Sequence, residues 1–211
     1  MEDVLTLYSQ SHDPRHPTVC LDEKPVVLHA DVRPTLPLAP ERPERPERRD
    51  DEYERHGTAN LFVLVEPLAG WRHVEVTERR TKRDYARCLQ WLVDVAYPNA
   101  EDVCVVQDNL NTHTAGALYE TFPPAEARRI LARLELHYTP KHGSWLNQAE
   151  IELAIFERGR LSRRVGDQEL LRRRVAALET ERNAAGCTIH WGFTTRDARV
   201  KLRTLYPDLT G

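Results

Sequence analysis

No apolar run in the sequence approaches the ~18 residues that a membrane-spanning helix needs, and the opening MEDVLTLYSQ has no basic segment leading into an apolar one. Neither a membrane anchor nor a signal peptide is therefore expected, and the chain is placed in the cytoplasm. Cysteine is sparse. Cys20, Cys88, Cys104 and Cys187 stand far apart, with no C-x-x-C and no Cys/His pair at zinc-ligand spacing. That pattern speaks against a disulfide framework and a zinc module, and suits a reducing compartment. No domain-sized repeat is present either, so the 211 residues are read as one good-sized core with appendages.

Charge is plentiful but unevenly placed. Phe156 to Arg203 carries 12 Lys and Arg against 6 Asp and Glu, whereas residues 1–155 carry 18 against 26. A basic C-terminal surface that meets phosphate is one reading of this imbalance, and solvated Arg-rich helices are the other.

Along the chain, PTVCLDEKPVVLHADV reads as strand, bend at Pro25, strand, with Val4, Leu5 and Leu7 ahead of it needing a partner to pack against. Arg33 to Gly57, with its ERPERPERR repeat, reads as an extended excursion outside the core. NLFVLVEPLAG and WRHVEVTER form an expected hairpin, and Thr81 caps a helix over KRDYARCLQWLVDVAYP that stops at Pro98. DVCVVQD is a short, wholly apolar strand of the kind buried in a parallel sheet. Helices over TAGALYETF and PAEARRILARL lead to a strand, LELHYTP, and then to a long helix from Ser144 through SWLNQAEIELAIFERGRLSRR. Two more helices follow, over DQELLRRRVAALETERNAAG and TTRDARVKLRTLYP. Three directly connected strands followed by helix-linked ones imply a mixed sheet flanked by helices, an α/β (α+β) fold.

Three carboxylates stand out by position. Asp22 interrupts the first strand, Asp108 ends the DVCVVQD strand, and Glu150 lies early in the long helix. A carboxylate in an apolar strand costs several kcal/mol unless it is paired or binds a cation. On parallel neighbouring strands, about 4.8 Å apart, two carboxylates at matching heights can share one divalent ion, with a helix supplying a third oxygen. At about 100° per residue Glu150 falls within about 60° of Leu146 and Leu153 and so shares their inward stripe, while Glu152 points about 160° from Glu150. Glu157 shares that stripe two turns later. Oxygen ligands without His or Cys favour Mg²⁺ or Mn²⁺, and two such ions suit in-line phosphoryl displacement. Turn-capping aspartates and an Arg-paired Glu150 are the ordinary alternative.

CLDEKP, QDNLNTH and YTPKHGSWLNQAEIE, in this order, resemble the three catalytic segments of bacterial insertion-sequence transposases related to mariner, the DDE superfamily endonucleases with a ribonuclease H-like core. The similarity covers about residues 18–165. It implies a five-stranded mixed sheet, a metal-binding and catalytic triad of Asp22, Asp108 and Glu150 holding two Mg²⁺ or Mn²⁺ ions, hydrolysis at transposon ends and strand transfer into target DNA. It also implies double-stranded DNA as partner, a homodimer in the active complex and a nucleoid-associated protein. His113, Lys141, His142 and Trp145, together with Arg158, Arg160, Arg163 and Arg164 along an extended helix, are the expected DNA contacts. For His113 a structural role, and for Trp145 a core role, is the alternative. Such transposases carry helix-turn-helix domains ahead of the first Asp, where only about 20 residues stand here. Residues 1–17 are therefore read as a linker remnant, 18–165 as the catalytic domain with an insertion at 33–57, and 166–211 as a helical extension. A catalytically inactive DNA-binding or assembly fragment, and a ribonuclease H-like nuclease acting on hybrids or branched DNA, are the competing readings.

Overall fold

A computed structural model describes residues 1–32, 52–141, 143–159, 161 and 163–206. Its centre is a five-stranded mixed sheet in the order β3-β2-β1-β4-β5. β1 (Thr18–Asp31), β2 (Tyr53–Glu66) and β3 (Trp71–Thr77) form an antiparallel meander, and β4 (Val103–Gln107) and β5 (Leu134–Tyr138) extend the other edge of β1 in parallel. A parallel neighbour cannot be reached by a tight turn, so helices intervene from β3 onward. From β1 onward the expected order of elements is the one the chain forms, and an unexpected helix, Glu2–Tyr8, precedes it.

Strand alternation divides the core in two. Val19, Leu21, Val103 and Val105 face α2 (Lys82–Trp91), which continues as a wider π turn over Leu92–Ala96, with α3 (Ala115–Thr121) and α4 (Pro124–Leu131) beside it. Cys20, Val63, Val65, Cys104 and Val106 face α1 (Glu2–Tyr8), α5 (Ala149–Arg158), α6 (Gln168–Ala184) and α7 (Thr195–Lys201). Val4, Leu5 and Leu7 find their partner here, in the second core. The expected Thr81 cap is a full capping box with Asp84. Gly70, with φ of 66°, closes the β2–β3 turn so tightly against Gly186 that a Cβ there would lie 2.8 Å from its carbonyl carbon.

Three local expectations differ from the structure. β1 runs straight through Pro25, opposite Asn60, because β4 pairs only with Thr18–Cys20 and the other edge of β1 is open at that height. The excursion expected to last to Gly57 ends sooner: Tyr53, Glu54 and Arg55 pair with Asp31, Ala30 and His29, beyond an irregularity between Val27 and His29. Residues 33–51 of that segment lie outside the described residues. The long helix from Ser144 is instead a 3₁₀ turn, Ser144–Leu146, an extended break at Asn147 (ψ 108°), and then α5, which ends at Gly159.

That break changes which glutamate is inside. With the helix beginning at Ala149, its inner stripe is Ala149, Glu152, Leu153 and Phe156. Glu152 is fully buried, bound by Arg182 Nε at 2.8 Å and Nη2 at 2.6 Å, with Arg72 Nη2 at 3.4 Å. Glu150 is exposed, and Glu157 pairs with Lys24, so neither shares an inward stripe. Extrapolating helical angles back to Leu146 fails because Leu146 belongs to a different turn.

α6 is fastened to the edge strand β3 through Glu179, which accepts a hydrogen bond from the Val74 N–H at 2.9 Å and lies 3.2 Å from His73 Nδ1. Burial alone pulls the His73 pKa down, but Glu179 and Glu75 outweigh it and raise the value to about 9. Its contribution is therefore complete below the unfolded-state value of about 6.5 and is lost as pH rises through about 9. Denaturant unfolding between pH 6 and 10 is expected to show a decline that is smaller by on the order of 3 kcal/mol in His73→Gln than in the unmodified chain.

Candidate functional site

β1 and β4 pair with Thr18 opposite Cys104 and Cys20 opposite Val106. Asp22 follows two residues further along β1, and Asp108 is the residue after β4 ends at Gln107, so both stand at the same end of this parallel pair. α5 packs on β1 and β2 across the face that carries Cys20 and Val106 and presents Glu150 from its first turn. Asp22 is half-buried, and burial is the largest influence raising its pKa. The Glu23 N–H, 2.8 Å from Asp22 Oδ1, holds it down, the Asp108 and Glu150 carboxylates raise it again, His113 lowers it, and the balance comes to about 6. The three carboxylates picked from the sequence thus share one electrostatic site.

Neighbouring groups fix each member. Asn109 Nδ2 donates to the Thr139 carbonyl at 3.1 Å, tying the segment after Asp108 to the end of β5. His113 is 1% exposed, stacks on Tyr85 at 4.7 Å and lies 3.7 Å from Glu23 Oε2. Its Nδ1 is 2.6 Å from Asp108 Oδ1, although the better aligned hydrogen bond from the same nitrogen runs to the Asp108 carbonyl at 3.2 Å. Burial works against the imidazolium, yet the Asp108 and Glu23 carboxylates raise its pKa to about 9. His113 is therefore corrected from a DNA contact to a group that holds Asp108. The stack on Tyr85, whose hydroxyl donates to Gln107 at 2.8 Å, explains its burial.

The clamp on Glu150 was not found from sequence. Asn147 Nδ2 donates to the Leu21 carbonyl at 2.8 Å, while Asn147 Oδ1 accepts from Ala149 N at 3.2 Å and its carbonyl accepts from Glu150 N at 3.1 Å. One side chain fixes the start of α5 to the residue before Asp22. Its short polar type just ahead of a helix was the available signal. We expect Asn147→Ala to cost about 1–2 kcal/mol of stability and to lower any metal-dependent turnover at the carboxylates ~10–100-fold by releasing Glu150 from β1. Denaturant unfolding and turnover measured on the same preparation check this.

The remaining expected contacts spread over the surface. Lys141, Arg158 and Arg163 are exposed. His142 and Arg160 lie outside the described residues. Trp145 is 42% exposed, which overturns the core-anchor alternative; it stacks on Trp191 at 6.0 Å and meets Phe193 edge-on at 5.4 Å. Arg164 is corrected: it lies beyond the Gly159 helix end, turned back onto the sheet, and binds Asp31 at 2.8 Å, the Glu52 carbonyl at 3.1 Å and the Tyr53 ring.

The donors fit a hard divalent cation. All three are carboxylates, Asp108 Oδ1 is buried without an aligned hydrogen-bond donor, and the crowding that raises the Asp22 pKa is the repulsion a cation would relieve.

A mixed sheet in this strand order, flanked by helices, with Asp22 and Asp108 at one end of its central parallel pair and Glu150 on a crossing helix, is a ribonuclease H-like fold. The model of the DDE superfamily endonucleases matches residues 17–172, and the chain belongs to that family, which implies use of divalent metal. Among solved structures it is similar to the Mos1 mariner paired end complex with Mn, at 19% identity over 88% of this chain and 55% of that one, with a TM-score of 0.54. It is also similar to a pre-cleavage Mos1 transpososome, at 17% identity over 88% and 59%, with a TM-score of 0.40. The first likeness is one of fold. The chain spans 55% of the length of that first Mos1 chain. No curated protein matches the sequence.

Proposed function

We propose that the chain is a transposase catalytic domain that hydrolyses a DNA phosphodiester at transposon ends and joins the freed 3′ hydroxyl to target DNA. The crowding of Asp22 on β1 by the Asp108 carboxylate just past the end of β4 and by Glu150 on α5 supports this reading. Asp22, Asp108 and Glu150 would hold two Mg²⁺ or Mn²⁺ ions, which supply an activated oxygen nucleophile and steady the leaving oxygen. The protein's own contribution is alignment: Asn147 sets Glu150 against β1, and His113 and Asn109 fix Asp108 and the chain that follows it. The Mos1 structure of like fold is a paired end complex with Mn; the proposed substrate here is double-stranded DNA, and the proposed working form a paired, homodimeric complex.

Lys141, Arg158 and Arg163 are the surface cations assigned to phosphate. Trp145, grouped with Trp191 and Phe193 and with Lys201 5.7 Å above the Phe193 ring, offers a basic aromatic platform for a DNA end. In this division 18–165 carries the catalytic carboxylates, and the expected linker at 1–17 and extension at 166–211 are corrected to parts of the same core, since α1 buries Val4, Leu5 and Leu7 there and α6 supplies Arg182 to Glu152.

Incubation with a duplex mimicking transposon ends and Mn²⁺, in parallel with an RNA–DNA hybrid, tests the assignment. Metal-dependent cutting of the duplex is the expected result. Cutting confined to the RNA strand would make the chain a hybrid nuclease, and salt-sensitive binding without cutting would make it an assembly fragment.

A further inference from the structure

A second group of metal-type donors lies away from the carboxylate site, where β4, β5 and α1 meet. Cys104 pairs with Glu135 and Val106 with His137 across the parallel ladder, so Cys104, Glu135 and His137 share the face covered by α1. One ligand atom from each lies within 4.8 Å of the others. Cys104 stands 31 residues ahead of Glu135, and His137 follows two residues later on the same strand, a spacing that the rules for zinc loops miss.

The geometry is more specific than proximity. His137 Nδ1 lies 2.8 Å from Asp3 Oδ2 on α1. A carboxylate can only accept, so Nδ1 carries the proton and Nε2 keeps its lone pair in the neutral ring. Nε2 is buried without a hydrogen-bond partner, 3.4 Å from Glu135 Oε1. Cys104 Sγ lies 3.7 Å from Glu135 Oε2. A tetrahedral ion with bonds of about 2.0–2.3 Å spaces neighbouring N, O and S ligands about 3.3–3.6 Å apart, so donors that lie within 4.8 Å of one another would draw in by no more than about 1.5 Å. The Asp3–His137 contact is the carboxylate–histidine pairing that orients metal-bound imidazoles. A cavity of about 290 Å³, lined by Asp3, His16, Asp102, Cys104, Glu135 and His137, gives an ion and a fourth, water ligand access.

We propose that Cys104, Glu135 and His137 form a second metal site, for a borderline-soft divalent ion of the zinc type, with Asp3 orienting His137. The S, N, O donor set separates it from the all-oxygen triad, which suits Mg²⁺ or Mn²⁺. Burial, with help from Glu135, pushes the Cys104 thiol up to about 12 in the metal-free protein, so loading releases a proton as the thiolate forms. Because Asp3 belongs to α1, the ion fastens that helix to β4 and β5.

Co²⁺ titration of the full chain, with excess Mg²⁺ to occupy the carboxylate triad, tests the site by absorption. One equivalent is expected to give a thiolate-to-cobalt charge-transfer band together with visible bands of a tetrahedral ion. Cys104→Ser should remove the charge-transfer band, His137→Gln should weaken binding at least tenfold, and Asp3→Asn should weaken it about 10–100-fold. Asp108→Asn should leave all of this unchanged, which separates the proposal from the nuclease assignment. Absence of the band in the unmodified chain, or its persistence in folded Cys104→Ser, would overturn it.

Discussion

Asp108→Asn is expected to leave the fold intact and to lower Mn²⁺-dependent cleavage of an end-mimicking duplex by about 10³-fold or more, several kcal/mol of transition-state stabilisation. The amide keeps the shape of the carboxylate but not its charge, and two of three negative groups hold a divalent cation far more weakly. The local structural cost is about 1–2 kcal/mol: the Asn109–Thr139 bond that ties down the segment remains, but buried His113 loses one of the two carboxylates that favour its charged form. Cleavage rate and thermal unfolding measured on the same preparation separate the two effects. Undiminished cleavage in a folded variant would remove Asp108 from the reacting centre.

Glu152→Ala and Glu150→Ala are expected to fail in opposite ways. Glu152 is enclosed with Arg72, both fully buried, and holds Arg182 through two hydrogen bonds. Burial lowers the Arg72 pKa, and the Glu152 carboxylate opposes that shift. Removing the carboxylate strands a buried guanidinium, at a cost of about 3–5 kcal/mol. Glu150 is exposed and pairs with no cation among the described residues, so its loss should cost well under about 1 kcal/mol while abolishing cleavage. Urea unfolding of both variants checks the pair. Equal destabilisation would mean that α5 is rotated from the position described.

Much of the sheet was legible because its signals are local. The apolar run at Val103–Val106, the Thr81 cap and the turn ending at Gly70 each state their own structure. The sequence reading supposed that the strands leading to Asp22 and Asp108 are parallel neighbours, and β1 and β4 are. What sequence could not supply was the direction of side chains after an irregular join. Asn147 breaks the helix by bonding to Leu21, a residue 126 positions away, and so decides that Glu152 goes inward and Glu150 outward. The same limit hid His113 behind Tyr85 and turned Arg164 toward Asp31, since both depend on contacts that form only when distant segments meet. Glu23 was overlooked beside Asp22, although alternation along a strand sends adjacent carboxylates to opposite faces.

The most direct measurement is an anomalous difference map from a crystal soaked in Mn²⁺. One or two manganese peaks are expected among Asp22, Asp108 and Glu150, with oxygens about 2.1–2.3 Å away. Manganese bound only elsewhere on the chain, with these three carboxylates free of metal, would contradict a catalytic metal site at the end of β1 and β4.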